Sequence, residues 1–326
     1  MLLSVAECSK LIEKGDVISV AGDEKLLSQL PKGNWIGGTI PYFMTKEGGV
    51  ISEDRIFVNN YTSSVTEVNI KNYDENNIDK IATDAYDNGF TLLIIPANSK
   101  VHINFAHNSP NFKDIFMKPL IGWISGVNLS NLGKISPKSY NGKSNNASDS
   151  MAVALHAKLP DDKIANIGII NIFRQGDGDE IKFEQDGFSV KECLVNGVKT
   201  NFYDYLNDRK VDVKYPLVAD YFGSMVNVSF QQMKEDDKVV DLYAPVFKNI
   251  SYKLAAPIED YVGEFTNHIP KGGIHPIFSC NCILNFLYSE LEGKKTGQII
   301  GPITFGEIAY QLLNQTLTYL DIIDNK

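Results

Sequence analysis

The chain has 326 residues, with 31 Lys and Arg against 40 Asp and Glu, for a formal net charge of -9. That acidic balance argues against a general affinity for nucleic acid or anionic membranes. A 43% hydrophobic fraction with 22% charge excludes disorder, collagen and a disulfide scaffold, and roughly 150 residues per domain suits two domains or one large one.

Taken in chain order, MLLSVAECSKLIEKG reads as a helix and not as a secretory leader, because Glu7 interrupts a short apolar stretch that no positive region precedes. Ser4 and Glu7 match a capping box, Val5, Cys8, Leu11 and Ile12 form the apolar stripe, and Gly15 supplies the stop. The chain is therefore expected to begin here, in the cytoplasm. Residues 17–21 form a short apolar run, 23–30 have helical spacing, and 35–44 are an apolar run broken by Gly37-Gly38. A strand is expected over 55–62 and a helix over 76–88, with Ile78, Ile81, Ala82 and Ala85 on one face. FTLLII (90–95) reads as a strand buried on both faces, ended by Pro96, and LIGWISGV (120–127) as another, with a short helix over 111–117 between them.

Residues 128–150 carry few large apolar side chains and read as a long loop, either a lid or a tolerated insertion. Beyond it the pattern turns to β. Strands are expected over 164–173, 188–195, 217–219, 225–231, 239–243, 251–254 and 316–323, with turns at Asp177-Gly178 and Asn196-Gly197. Helices are expected over 200–206, 259–265 and 282–291. Thr304 and Glu307 match a second capping box ahead of a stripe of Phe305, Ile308, Ala309, Leu312 and Leu313. The fold expected is α+β, two domains over 1–160 and 161–326, with mixed and antiparallel sheets packed by helices.

Motifs for cofactors are missing: no GxGxxG stands in the sequence and no Walker lysine follows a GxxxxG, so no cofactor is expected. Basic residues are scattered, so no nucleic acid is expected either, and no stretch approaches a membrane span of roughly 18 apolar residues. Cys8, Cys193, Cys280 and Cys282 have no framework spacing and read as reduced, buried thiols. Cys280 and Cys282 would share one face of a strand, but a zinc site needs two more ligands and only His275 is near, so no metal site is expected. His102 and His107 are five apart, outside the spacing of a helical metal pair, and His102 follows a strand end.

A series of motifs resembles the FIST family of paired sensory domains. They are WIGGTIPYF (35–43), FTLLIIP (90–96), PLIGWISGV (119–127), VKECLVNGVKTNFYDYL (190–206), VVDLYAPVFKNISYKLA (239–255), FSCNC (278–282), GPITFGEI (301–308) and NQTLTYLDI (314–322). Two positions depart from that family's pattern: Asn281-Cys282-Ile283 stand where an arginine often follows the cysteine, and Pro41 occupies a turn of small residues. The resemblance implies an FIST-N-like domain over 1–160 and an FIST-C-like domain over 161–326. It implies a stand-alone cytoplasmic sensor of a small molecule, amino-acid-like or a small carboxylate, with no catalytic residues.

The pocket expected on this reading lies between domains and is lined by Trp35, Gly38, Thr39, Cys280, Thr304 and Glu307. Glu307 is open to two roles, a helix cap by local chemistry and a pocket carboxylate by the resemblance, where a helix N-terminus with Gly301, Thr304 and Gly306 suits a carboxylate. Two other function classes stay open. One is a thiol-dependent hydrolase or transferase using Cys280, with His275 and Glu307 as helpers. The other is an interaction subunit that forms a homo-oligomer or meets a separate signalling partner.

Overall fold

The computed structural model describes residues 1–221, 223–270, 274–297 and 299–325. The fold is α+β, 41% strand against 16% helix, with mixed and antiparallel sheets and few helices. Strand β1 (Leu2–Leu3) leads into α1 (Val5–Glu13), which forms where its cap requires: the Ser4 amide donates to the Glu7 carboxylate at 2.8 Å, and the Glu7 amide donates back to Ser4 Oγ. Cys8 and Ile12 are the buried side, and Gly15 leaves the helix at φ +91°. Then come β2 (Ile18–Gly22), the one-turn α2 (Glu24–Leu27), β3 (Trp35–Thr39), β4 (Tyr42–Met44), β5 (Gly49–Ile51), β6 (Ile56–Asn60) and β7 (Glu67–Tyr73).

The helix expected over 76–88 is replaced by a single 3-10 turn, Ile78–Lys80. Asp74 and Asn77 explain this, since the Asn76 amide donates to Asp74 Oδ1 and the Asp74 amide to Asn77 Oδ1, and these bonds compete with a helix start. Next are β8 (Gly89–Pro96), α3 (Lys100–Asn108), β9 (Leu120–Ser125), β10 (Ser139–Asn141), β11 (Asn146–Ser148), β12 (Ala152–Lys158) and β13 (Lys163–Ile170). The helical stretch lies at 100–108 and not at 111–117, because Ser99 caps it through the His102 amide while Asp114 stands at φ +60°. The 128–150 loop contains the β10–β11 hairpin.

The chain continues through β14 (Ile181–Lys182), β15 (Gly187–Val190), β16 (Glu192–Val195), β17 (Val198–Asn201), α4 (Phe202–Asp208), β18 (Leu217–Tyr221), β19 (Ser224–Val228), β20 (Phe230–Lys234), β21 (Val239–Val246), β22 (Ser251–Leu254) and α5 (Tyr261–Asn267). The β16–β17 turn is the Asn-Gly hairpin read from sequence, with Asn196 at φ +48° and Gly197 at φ +83°. It closes with β23 (Phe278–Cys282), α6 (Ile283–Tyr288), β24 (Gly301–Thr304), β25 (Glu307–Ala309), β26 (Gln311–Leu313) and β27 (Leu317–Asp324).

Thus the second capping box does not cap a helix. Residues 301–313 are three short strands, because neighbouring strands offer ladders: β24 pairs with β23 and β4, and in β25 Glu307, Ile308 and Ala309 pair with Trp123, Gly122 and Ile121 of β9. Tyr310, at φ +65°, then turns the chain. An apolar stripe that suits a helix suits short strands equally, and pairing with β9 decides it.

Two compact units result. The first comprises residues 1–170, 269–312 and 317–326, and the second 171–268 with 313–316, so the expected span 161–326 contributes to both. The first unit holds three sheets, ordered β1-β6-β2-β3-β10-β11, β26-β25-β9-β8-β12-β7 and β13-β27-β23-β24-β4-β5. Their parallel pairs are β2 with β3, β8 with β9 and β23 with β24. The first two sheets approach closely at Gly38, where an added Cβ would fall 2.6 Å from the Trp123 ring. In the second unit Phe183 packs edge-on to Phe202 and Tyr252, with ring centroids 5.3 and 5.6 Å apart.

Gly122 sits mid-sheet between β8 and β25, and a Cβ there would fall 1.8 Å from the Leu93 carbonyl oxygen, on backbone that cannot step aside. Gly122→Ala is expected to cost about 2–3 kcal/mol and lower the thermal midpoint by several degrees. Gly178→Ala, with open space around it, is the control that should leave the midpoint within a degree or so of wild type in the same calorimetric scan.

Candidate functional site

In the first unit a cavity of about 430 Å³ lies just beyond the carboxyl ends of β2, β3 and β9. Strand ends of this kind gather ligand contacts because side chains and free backbone groups converge there. Each strand hands over to a lining segment: β2 to Asp23–Lys25, β3 to Ile40-Pro41, and β9 to Gly126–Asn128. A direct bond, from the Gly126 amide to the Thr39 carbonyl at 2.7 Å, joins the last two.

The walls are mixed in chemistry. Asp23 uses one carboxylate oxygen to cap α2, accepting from the Lys25 amide at 3.0 Å. Glu24 is held by the Lys138 ammonium, and Lys25 lies 3.8 Å from Glu53. Thr39 Oγ1 accepts from the Lys138 amide at 2.9 Å, which ties the far end of the 128–138 loop to β3. The near end is tied by Asn128, whose Nδ2 donates to Glu53 at 2.8 Å, and by the Leu129 amide, which donates to Tyr42 Oη at 3.0 Å. Between these anchors Asn131, Ile135 and Ser136 reach the cavity.

The six residues singled out from sequence all lie in the first unit. Thr39 is the one among them that lines this cavity. Trp35 is buried in the core beneath α1, stacked on Tyr140 at 6.3 Å, and its Nε1 donates to the Pro31 carbonyl at 2.8 Å. Gly38 is the close-approach point to Trp123 and faces packed side chains.

Cys280, Thr304 and Glu307 do come together, but in the interior, each essentially without exposure. Cys280 Sγ lies 3.2 Å from Thr318 Oγ1 and 3.4 Å from the Gly122 carbonyl. Burial raises its pKa well above the ordinary thiol value, and the Glu307 carboxylate adds to the rise. Thr304 Oγ1 lies 3.0 Å from the Gly306 carbonyl. His275 is exposed while Cys280 is buried, so the two do not form a nucleophile and base. All four cysteines are free and buried, and burial pushes Cys8 and Cys193 up to about 12. Among the described residues no group of three or more His, Cys, Asp or Glu is arranged to hold a metal ion, and no helix is long and apolar enough to cross a membrane.

A second polar cluster escaped the sequence reading. His156 on β12 has both ring nitrogens engaged, Nε2 with Tyr73 Oη and Nδ1 with Thr91 Oγ1, each at 2.8 Å. Tyr73 Oη donates on to Asp84 at 2.8 Å, and Lys71 closes the chain on the same carboxylate at 2.6 Å. Burial holds His156 down to about 4, as it does His102. Local sequence shows none of this, because the partners come from β7, β8, β12 and the 81–88 turns. Asp23, Lys25, Asn128 and Ile135 were missed for the same reason, although the strand ends and the polar loop that carry them were visible.

The fold and site define an α+β protein with a cavity of mixed polar and apolar lining at converging strand ends. The chain belongs to a family of unknown function, DUF6976, which matches residues 3–323. No curated protein matches the chain, and no solved structure does. This assignment overturns the FIST resemblance, since one other family covers nearly the whole chain and no FIST domain is found. The shared motifs are short glycine-flanked strands and hairpin turns, which recur wherever mixed sheets turn tightly.

Two outcomes follow for these groups. In the native protein at pH 7 all four cysteines should react with iodoacetamide at least roughly a hundredfold more slowly than after unfolding. One cysteine labelled far ahead of the others would restore the nucleophile reading. The two depressed histidines stay neutral in the folded state while the unfolded chain takes up protons below pH 6.5. Stability is therefore expected to fall as pH drops from 6.5 to about 4, by up to about 1.4 kcal/mol per pH unit for each histidine. Urea titrations of wild type and His156→Gln across that window check it, and the variant should show the shallower slope.

Proposed function

We propose that this protein is a small-ligand-binding protein, and that its site is the cavity beyond β2, β3 and β9. The observation that carries the reading is the placement of about 430 Å³ of open space where three strand ends deliver groups of both charges. Asp23 offers a carboxylate oxygen beyond the one its helix cap uses, and Lys25 offers an ammonium on the next turn of chain. Ile40, Val127 and Ile135 supply an apolar wall between hydroxyls and amides. A small zwitterion with a short apolar side chain, amino-acid-like in its chemistry, matches that lining: its ammonium meets Asp23 and its carboxylate meets Lys25. The protein in this reading senses or carries such a molecule and passes the bound state to a separate partner.

The reading is tested by thermal unfolding against three probe sets: free amino acids, their amides, and their N-acetyl derivatives. Saturation at 100 times the dissociation constant adds about 2.7 kcal/mol to the stability of the folded state. A concentration-dependent rise is expected with one group of free amino acids and not with either capped set. Asp23→Asn keeps the helix cap, since Asn caps as well as Asp, but removes the charge. It should leave the unliganded midpoint unchanged and weaken binding at least about tenfold, the loss of one charge-assisted bond. A flat response to all three sets overturns the proposal.

A further inference from the structure

The third sheet of the first unit ends on β13, and this edge differs from the other edge strands of that unit. Strands β1, β5, β11 and β26 are two or three residues long, and β7 carries Glu67 and Lys71. Short length and edge charge are the ordinary protections against pairing with another chain. Strand β13, KIANIGII, has eight residues in unbroken register with β27, from Lys163 opposite Asp324 to Ile170 opposite Leu317. It holds no proline and no bulge. Its one charge, Lys163, stands at the first position and is already paired with Asp324. Among the described residues β27 is the only strand that pairs with it. Ile164 and Ile169 stay 36% and 43% exposed, and Ile323, opposite Ile164, is 42% exposed.

We propose that β13 pairs with β13 of a second copy of this chain, antiparallel about a two-fold axis at Asn166, to make one continuous sheet across the dimer. A two-fold axis normal to the sheet matches residues of the same face, so the sum of paired numbers is even. Centring on Asn166 sets Ile164 opposite the partner's Gly168 and Ala165 opposite its Ile167. Gly168 has no side chain, and the Tyr319 ring lies over it: an added Cβ would fall 2.0 Å from that ring. The exposed isoleucine of each copy therefore stands opposite a residue with no side chain, large against small. Asn166, exposed, faces its own symmetry mate, and two amides facing each other satisfy both donor and acceptor. No like charges oppose one another over 164–168. This self-complementarity is what selects a second copy as the occupant, in place of an unrelated extended peptide. An interface of one strand edge is small, so the dimer is expected to be weak, in the micromolar range.

Sedimentation velocity of the full chain from low to high micromolar concentration reads the association. Wild type should pass from monomer to dimer across that range. Asn166→Lys places two ammonium groups face to face at an exposed position, which leaves the monomer fold intact by circular dichroism and weakens association at least tenfold. Register is read separately: Asn166→Cys should form a disulfide-linked dimer in oxidising buffer, and Val198→Cys, also exposed and on another edge, should not. A wild-type chain that stays monomeric overturns the proposal. So does Asn166→Lys dimerising as tightly as wild type, or Asn166→Cys cross-linking no faster than Val198→Cys. A monomer that instead binds an unrelated extended peptide along β13 also overturns it.

Discussion

The first unit depends on one close approach, where β3 passes over β9 and contributes no side chain of its own at Gly38. Gly38 leaves room for the Trp123 ring, Ile94 and Ser125, all of which a Cβ at that position would meet at 3.1 Å or less. Because the two sheets close to that distance, the ends of β3 and β9 leave them side by side, and the Gly126 amide reaches the Thr39 carbonyl. The cavity opens at that junction. A larger residue at Gly38 would separate the sheets and, with them, the two strand ends that form opposite walls. Glycine here is therefore a geometric requirement of the site, although it touches nothing that would bind.

Inside the same unit, buried polar groups are held by neighbours from distant parts of the chain. His156 lies between Thr91 and Tyr73, and Tyr73 passes the chain on to Asp84 and Lys71, which are partly exposed. A neutral imidazole with both nitrogens bonded costs little to bury, whereas the charged form would lose its acceptor and its hydration together. Cys280 and Glu307 share a different interior region, where the carboxylate works against forming a thiolate. Both clusters fix strands against one another. Neither opens to the cavity, whose walls are built from 23–28, 39–41, 126–128 and 131–136.

What could be read from sequence was what short-range chemistry decides. The Ser4–Glu7 box, the continuous run FTLLII and the Asn196-Gly197 turn each act within a few residues, and each stands where local rules put it. The stripe from Phe305 to Leu313 was illegible for the opposite reason. Its helix-like spacing was outweighed by a ladder from Gly122 and its neighbours, some 185 residues earlier. Residues 76–88 kept their buried face, with Ile78, Ile81 and Ala82 inside, but lost the helix to side chains that bond the backbone first. The cavity escaped because four separate segments build it, and although Ile40, Pro41, Gly126 and Val127 stand in quoted motifs, only Thr39 had been read as a pocket residue.

The loop over the cavity is apolar in its middle and tied down at its ends. Residues 128–138 carry Leu132 and Ile135 about half exposed. The loop is nonetheless fastened at both ends, to Glu53 and Tyr42 on one side and to Thr39 and Glu24 on the other. Fixed ends with an apolar middle limit motion to the span between them, and Ile135, which already lines the cavity, lies within that span. Burying Ile135 more fully against an apolar group in the cavity would gain about 25 cal/mol for each Å² covered. On the proposed reading, the exposure that Ile135 keeps at the cavity becomes part of the binding energy of a ligand with an apolar group.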